Sequence, residues 1–101
     1  LDIRLAAGEF DNTDAYVGES YGVVSAAGLD AVQLLARTEG ILLDPVYTSK
    51  AVAGVIDRIR REEIPAGSTL VYVHTGGTPA LFAYAPELIA HGGYQQNIVT
   101  E

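Results

Sequence analysis

The stretch Ser68–Gly77, STLVYVHTGG, constrains the fold more than any other part of the chain. Leu70 to His74 is a near-continuous apolar run, which suits a strand covered on both faces, as in a parallel sheet. The Gly76-Gly77 pair then turns the chain. Pro79 fits the first position of a helix, where no backbone N–H is needed. A buried strand that passes through a tight turn into a helix predicts helices packed on a sheet.

Two amphipathic segments precede this strand. Ser25 is a suitable N-cap, and Gly40 sits where a left-handed C-terminal cap belongs. Between them Leu29, Val32, Leu35 and Ala36 recur at helical spacing. Asp44-Pro45 breaks any helix, because the residue before proline is pushed out of the α region. A second helix is expected from Tyr47 or Thr48, with Val52, Val55, Ile56 and Ile59 on one face. Asp57, Arg58 and Arg61 occupy the other face, and Pro65 and Gly67 end the segment. LDIRLAA reads as a short first strand followed by a long connection rich in turn formers. PALFAYAPELIA reads as a short helix interrupted by Pro86, and HGGYQQNIVTE as one more strand or a frayed end. The predicted class is α/β, a three-layer α-β-α piece with a short, mostly parallel sheet.

At 101 residues the chain makes at most one small domain. A hydrophobic content of 49% is enough for a packed core and too high for disorder. The absence of cysteine excludes disulfides and thiolate metal sites. Thirteen acidic against six basic residues give a net charge of −7, which repels phosphate backbones and argues against nucleic-acid binding. No apolar run is long enough to cross a bilayer and no signal peptide is visible, so no membrane partner and a cytoplasmic location are expected. The first residue is Leu rather than Met, as in an excised piece or a processed chain.

In open α/β sheets, ligands bind beyond the carboxyl ends of strands, and HTGG lies at such an end. The Thr75 hydroxyl can donate or accept a hydrogen bond. Gly76 and Gly77 let the backbone approach a ligand, and a following helix N-terminus favours an anion. The competing reading is a tight turn that needs glycine, which pattern alone favours. No Lys-Ser/Thr pair follows the glycines, so this is not a P-loop. A single His74 in a strand is more often structural than catalytic. With two distant histidines and no cysteine there is no metal constellation. No serine sits in a G-x-S-x-G elbow. Tyr21 and Tyr47 each lie near a turn, where a hydroxyl can line a pocket or the ring can be half-buried packing. Lys50, the only lysine, could be a reactive amine if buried, but its place at the polar edge of the second helix favours an exposed charge.

Three segments, YVGESYG, LLARTEGILLDPVYTSKAVAGVID and VYVHTGGTPALFAY, occur in the order found in one enzyme family. Over Tyr16 to Tyr84 the chain closely resembles the C-terminal region of D-cysteine desulfhydrase and its relatives. These include 1-aminocyclopropane-1-carboxylate deaminase and L-cysteate sulfo-lyase. All are pyridoxal-phosphate enzymes of the tryptophan-synthase-β fold type.

The resemblance implies that residues 1–101 are a C-terminal fragment of the catalytic α/β domain of a longer fold type II enzyme, usually a homodimer. It implies pyridoxal 5′-phosphate as cofactor, with the Schiff-base lysine and the phosphate loop upstream of this chain, so that Lys50 is not that lysine. It places Tyr21 and Tyr47 on the substrate side of the pyridoxal ring as catalytic residues. Thr75, with Thr48 and Gly76, becomes cofactor-binding, Thr75 beside the pyridine nitrogen. Thr48 stands where the deaminase has a glutamate, which favours a desulfhydrase-like or sulfo-lyase-like member. Ser49 and Ser20 stand where glycines are usual, so the substrate stays open. The implied reaction is α,β-elimination from a cysteine-type amino acid, with the isolated fragment inactive. The partners are then a small amino-acid substrate and the remainder of the same polypeptide. The alternative is a stand-alone, non-catalytic ligand-binding or interaction domain.

Overall fold

The computed structural model describes residues 1–92. Among them are four helices: α1 (Ala26–Glu39), α2 (Thr48–Arg60), α3 (Ala80–Ala83) and α4 (Ala85–His91). The expected caps of α1 are both present. Ser25 is extended (φ −109°, ψ 151°), and its hydroxyl accepts the Gly28 N–H at 3.1 Å. Gly40 takes the left-handed conformation, φ 67°. Its N–H donates to Ala36 O and the Ile41 N–H to Leu35 O, so two orphan carbonyls of the last turn are satisfied.

α2 begins where expected, but its capping group is not the residue next to it. Tyr47 gives no side-chain cap. The carboxylate of Asp44 reaches forward instead, as the next subsection describes. The helix ends at Arg60, before Pro65, and Arg58 and Arg60 in the last turn complement the helix dipole.

α1 and α2 pack face to face. Ala31 and Val32 of α1 meet Val52 and Ala53 of α2, with Leu43 from the connector, to form the buried core. Leu35, Ile56, Tyr72, Leu81 and Leu88 close over it. α4 is fastened to α1 by Gln33 Nε2 donating to Leu88 O and by His91 Nε2 against Asp30 Oδ1 at 2.6 Å. The segment 80–91 divides at Tyr84 (φ −106°, ψ 16°), two residues before Pro86. Pro86 lacks the N–H that would bond back to Phe82 and so cannot sit inside a continuous helix.

The expected sheet is the main departure. Among the described residues no strand is formed, either at LDIRLAA or at Leu70–His74. A strand exists only through ladder bonds to a neighbour, and neither segment has one among these residues. The apolar run is also covered on one side rather than two. Tyr72 packs against the core, while Val71 and Val73 are 84% and 73% exposed. The expected three-layer α-β-α arrangement is therefore seen only as its helical part. The expectation of a strand or frayed end at HGGYQQNIVTE falls, from residue 93 onward, outside the described residues.

Candidate cofactor-facing site

Asp44 organises the region where the sequence placed its chemistry. It has no exposed surface. Its Oδ2 accepts the N–H groups of Val46 (2.8 Å) and Tyr47 (2.7 Å). Its Oδ1 accepts the Thr48 N–H (2.9 Å) and the Thr48 hydroxyl (2.6 Å). The same hydroxyl accepts the Asp44 N–H at 2.8 Å, and Asp44 O accepts the Ser49 N–H. The carboxylate thus satisfies the open donors at the start of α2, a side-chain turn that proline at 45 helps to close. Burial pushes this carboxyl up, but the bonds from Thr48, Tyr47 and Val46 more than offset it and leave it below the usual carboxylate range.

The segment 72–77 lies against this turn. The Tyr72 hydroxyl donates to Thr48 O at 3.2 Å. Burial, and then the charge of Asp44, hold that phenol above its ordinary value. His74 Nε2 lies 2.8 Å from Leu42 O and must be the donor, while its Nδ1 accepts the Gly76 N–H at 3.1 Å. Both ring nitrogens are therefore engaged in holding the turn, in keeping with the structural reading of His74. Gly76 and Gly77 have φ of +98° and +92°, backbone that side chains rarely adopt. A methyl on Gly77 would lie 2.7 Å from Asp44 Oδ1, so this glycine is required by close approach as well as by φ.

Tyr47 leaves the capped turn with its ring outward, 54% exposed. Tyr21 arrives from a loop 26 residues earlier and is 79% exposed. Their rings meet edge to face with centroids 5.9 Å apart, and their hydroxyls are hydrogen-bonded to each other. The bond to Tyr21 is the chief reason that Tyr47 is held above the ordinary tyrosine value; desolvation and the nearby Tyr21, Asp44 and Tyr84 act in the same direction. The loop that carries Tyr21 is tied on both sides. Lys50 Nζ donates to Val17 O at 2.6 Å and to Ser20 O at 3.5 Å, and the Tyr84 hydroxyl donates to Gly22 O at 2.8 Å. Beside the pair lies a mostly apolar groove of about 330 Å³, walled by Tyr16, Val17, Val46 and the stem of Lys50.

The structure thus brings Tyr21 and Tyr47 into direct contact and joins Tyr47 to the Thr75-Gly76-Gly77 turn through Asp44. Thr75 is exposed, and its hydroxyl makes no hydrogen bond to another described residue. Thr48 is placed differently: it is 2% exposed and its hydroxyl is committed to Asp44. One expectation needs correction. Lys50 is not an exposed helix edge but is 8% exposed, its ammonium taken up by loop carbonyls. After the glycines, α3 is one turn long and its first donors bond to Gly77 O and Thr78 O. Two contributors were missed: Asp44 and Tyr84. Only Asp44 had a local signal, an acid followed by proline and, four residues on, by a threonine at a helix start.

Residues 2–76 match the family described as pyridoxal-phosphate dependent enzyme. The chain belongs to this family. The fold is similar to a solved structure described as an ACC deaminase homologue, at 35% sequence identity and a TM-score of 0.64. That similarity covers 71% of this chain and 22% of the other, so the chain spans less than a quarter of that protein's length.

The family's enzymes depend on pyridoxal phosphate, and the donors found here can be tested against that cofactor. Thr75, in the two-glycine turn, has a hydroxyl with no hydrogen bond to another described residue, and the hydroxyls of Tyr21 and Tyr47 are exposed, so all three are of a chemistry that can meet a polar, planar cofactor or its substrate. Lys50 does not fit as a covalent anchor, since its amine is buried and engaged. Thr48 fits only as support from behind, through Asp44.

Proposed function

We propose that residues 1–101 form the C-terminal part of the catalytic domain of a pyridoxal-phosphate-dependent lyase or deaminase. The intact enzyme, a homodimer, eliminates sulfide from a cysteine-type amino acid, and water then hydrolyses the resulting enamine acid to ammonia and pyruvate, in the manner of a D-cysteine desulfhydrase. The observation that carries this reading is the contact between the exposed hydroxyls of Tyr21 and Tyr47.

The bound cofactor would supply the electron sink for breaking the substrate Cα–H bond. Tyrosine keeps its proton at neutral pH, so the Tyr47 hydroxyl, placed against that of Tyr21, can serve as a donor. Bonded oxygen to oxygen, Tyr47 and Tyr21 orient the substrate, and either can pass a proton to the departing sulfur while the other steadies the oxygen left behind. Thr75 would offer a neutral hydroxyl to the ring nitrogen, and a hydroxyl, unlike a carboxylate, would not force full protonation there and so would temper the sink. Thr48 supports the desulfhydrase-like reading over the deaminase. Its hydroxyl donates to the buried Asp44 carboxylate, and a glutamate at this position would set a second negative charge against it.

The test is kinetic. In the intact enzyme, Tyr47→Phe and Tyr21→Phe are expected to lower kcat for sulfide release by about 10²- to 10⁴-fold, the range for a positioned proton donor. The chain alone, supplied with cofactor, is expected to give no sustained pyruvate release. Undiminished turnover in both tyrosine variants, or steady turnover by the isolated chain, would overturn the reading.

A further inference from the structure

Lysine is rarely buried unless it is paired, yet Lys50 is 8% exposed and its ammonium meets no carboxylate among the described residues. It is satisfied by two main-chain carbonyls of one short loop, Val17 O and Ser20 O. A charged donor makes such bonds stronger than a neutral one would. The loop passes directly over the ammonium. Gly18, at φ +80°, would place a Cβ 3.7 Å from Nζ. Residue 21 follows at once, and beyond it Gly22 O is held by Tyr84. Lys50 stands one turn after Tyr47 on α2, so both tyrosines are referenced to the same rigid turn.

We propose that Lys50 is a positioning residue for the tyrosine pair, its ammonium fixing the 17–20 loop so that the Tyr21 hydroxyl is delivered to the Tyr47 hydroxyl. The inference rests on the reading of that pair as the substrate-facing hydroxyls. In this role Lys50 acts through Tyr21.

The experiment reads the pair directly in the intact enzyme, with tyrosine labelled at ¹³Cζ and the Tyr47 resonance assigned with Tyr47→Phe. Groups that bear on this titration are Tyr21, Asp44 and Tyr84. Lys50→Met keeps the apolar stem and removes the donor. It is expected to bring the Tyr47 titration down to where Tyr21→Phe puts it, and to lower kcat roughly 10- to 100-fold, as a misplaced group does. The double variant Lys50→Met/Tyr21→Phe is expected to match Tyr21→Phe alone. Lys50→Gln, whose neutral donor is too short to reach both carbonyls, provides a second folded variant with the same expected direction. A Tyr47 titration at the parental position in either folded variant overturns the proposal. The titration needs no substrate, so an absence of elimination in the parent enzyme would count against the proposed reaction while leaving this result readable.

Discussion

Gly77 and Asp44 are packed so closely that a side chain on one excludes the other: an added Cβ at Gly77 would lie 2.7 Å from Oδ1 and 2.8 Å from Cγ of Asp44. The neighbouring Gly76 has a similar φ of +98° but nothing within 4 Å of its Cβ position. The two glycines therefore separate backbone strain from contact. Gly76→Ala is expected to cost about 1–3 kcal/mol, the range for a side chain held in sparsely populated backbone. Gly77→Ala should cost at least about 1 kcal/mol more, because the buried carboxylate must give up some of its bonds. Urea unfolding of both variants of the intact protein measures the difference; equal losses would show that the Asp44 contact is not felt.

The same carboxylate sets an acid dependence whose sign follows from its environment. Asp44 is held below the usual carboxylate range in the folded protein. Its contribution is therefore present above the unfolded carboxylate value of about 4 and is lost as pH falls from there through the lowered folded value. Thr48→Val removes the hydroxyl donor at 2.6 Å from Oδ1. That bond to a charged group is worth about 1.5–3 kcal/mol. The variant is expected to be less stable at neutral pH and to show its acid transition at higher pH. Unfolding midpoints followed between about pH 2 and pH 6 measure it, and a parallel offset at every pH would exclude a role for Asp44 ionisation.

Local rules made much of this legible. Ser25 and Gly40 bounded α1 because capping chemistry is confined to a few neighbouring atoms. The start of α2 followed in the same way from the proline at 45 and the apolar spacing after Thr48. The Tyr21–Tyr47 contact could not be read from pattern, because it closes 26 residues and depends on Lys50 and Tyr84 from other elements. Lys50 was misjudged for a related reason. Helical position places a side chain on a face, but whether a distant loop crosses that face is a tertiary fact. The apolar run at Leu70–His74 was read as a strand because its composition describes what it is built to contact, and a strand needs a neighbour before its ladder can form.

That run gives a prediction for the isolated chain. Val71, Val73 and Phe82 stand open, together with Leu1, Ile3 and Leu5 at the other end. Exposed apolar surface on this scale, rather than as scattered single residues, favours association. The isolated chain is expected to self-associate and to bind a hydrophobic dye. The paired substitutions Val71→Thr and Val73→Thr should reduce both effects. Sedimentation and dye fluorescence give the measurement, and a monodisperse, dye-silent parent chain would contradict it.

Gly54 offers a test in which two rules oppose each other. It sits inside α2, where alanine is normally favoured by about 1 kcal/mol. Here a Cβ would lie 2.9 Å from the ring of Tyr16. That ring cannot simply swing away, because its hydroxyl donates to Asp57 Oδ2 at 2.6 Å and accepts from Arg61 at 3.2 Å, while Arg61 also pairs with Asp57 at 3.0 Å. Overpacking of a held side chain costs about 1–3 kcal/mol, which exceeds the helix gain. Gly54→Ala is therefore expected to destabilise the intact protein by about 1 kcal/mol, against the direction of helix propensity. In Gly54→Ala/Tyr16→Ala the obstacle is gone, and the alanine should stabilise relative to Tyr16→Ala alone. The comparison uses denaturant midpoints, and a stabilising Gly54→Ala in the parent background would show that Tyr16 is not held against the helix.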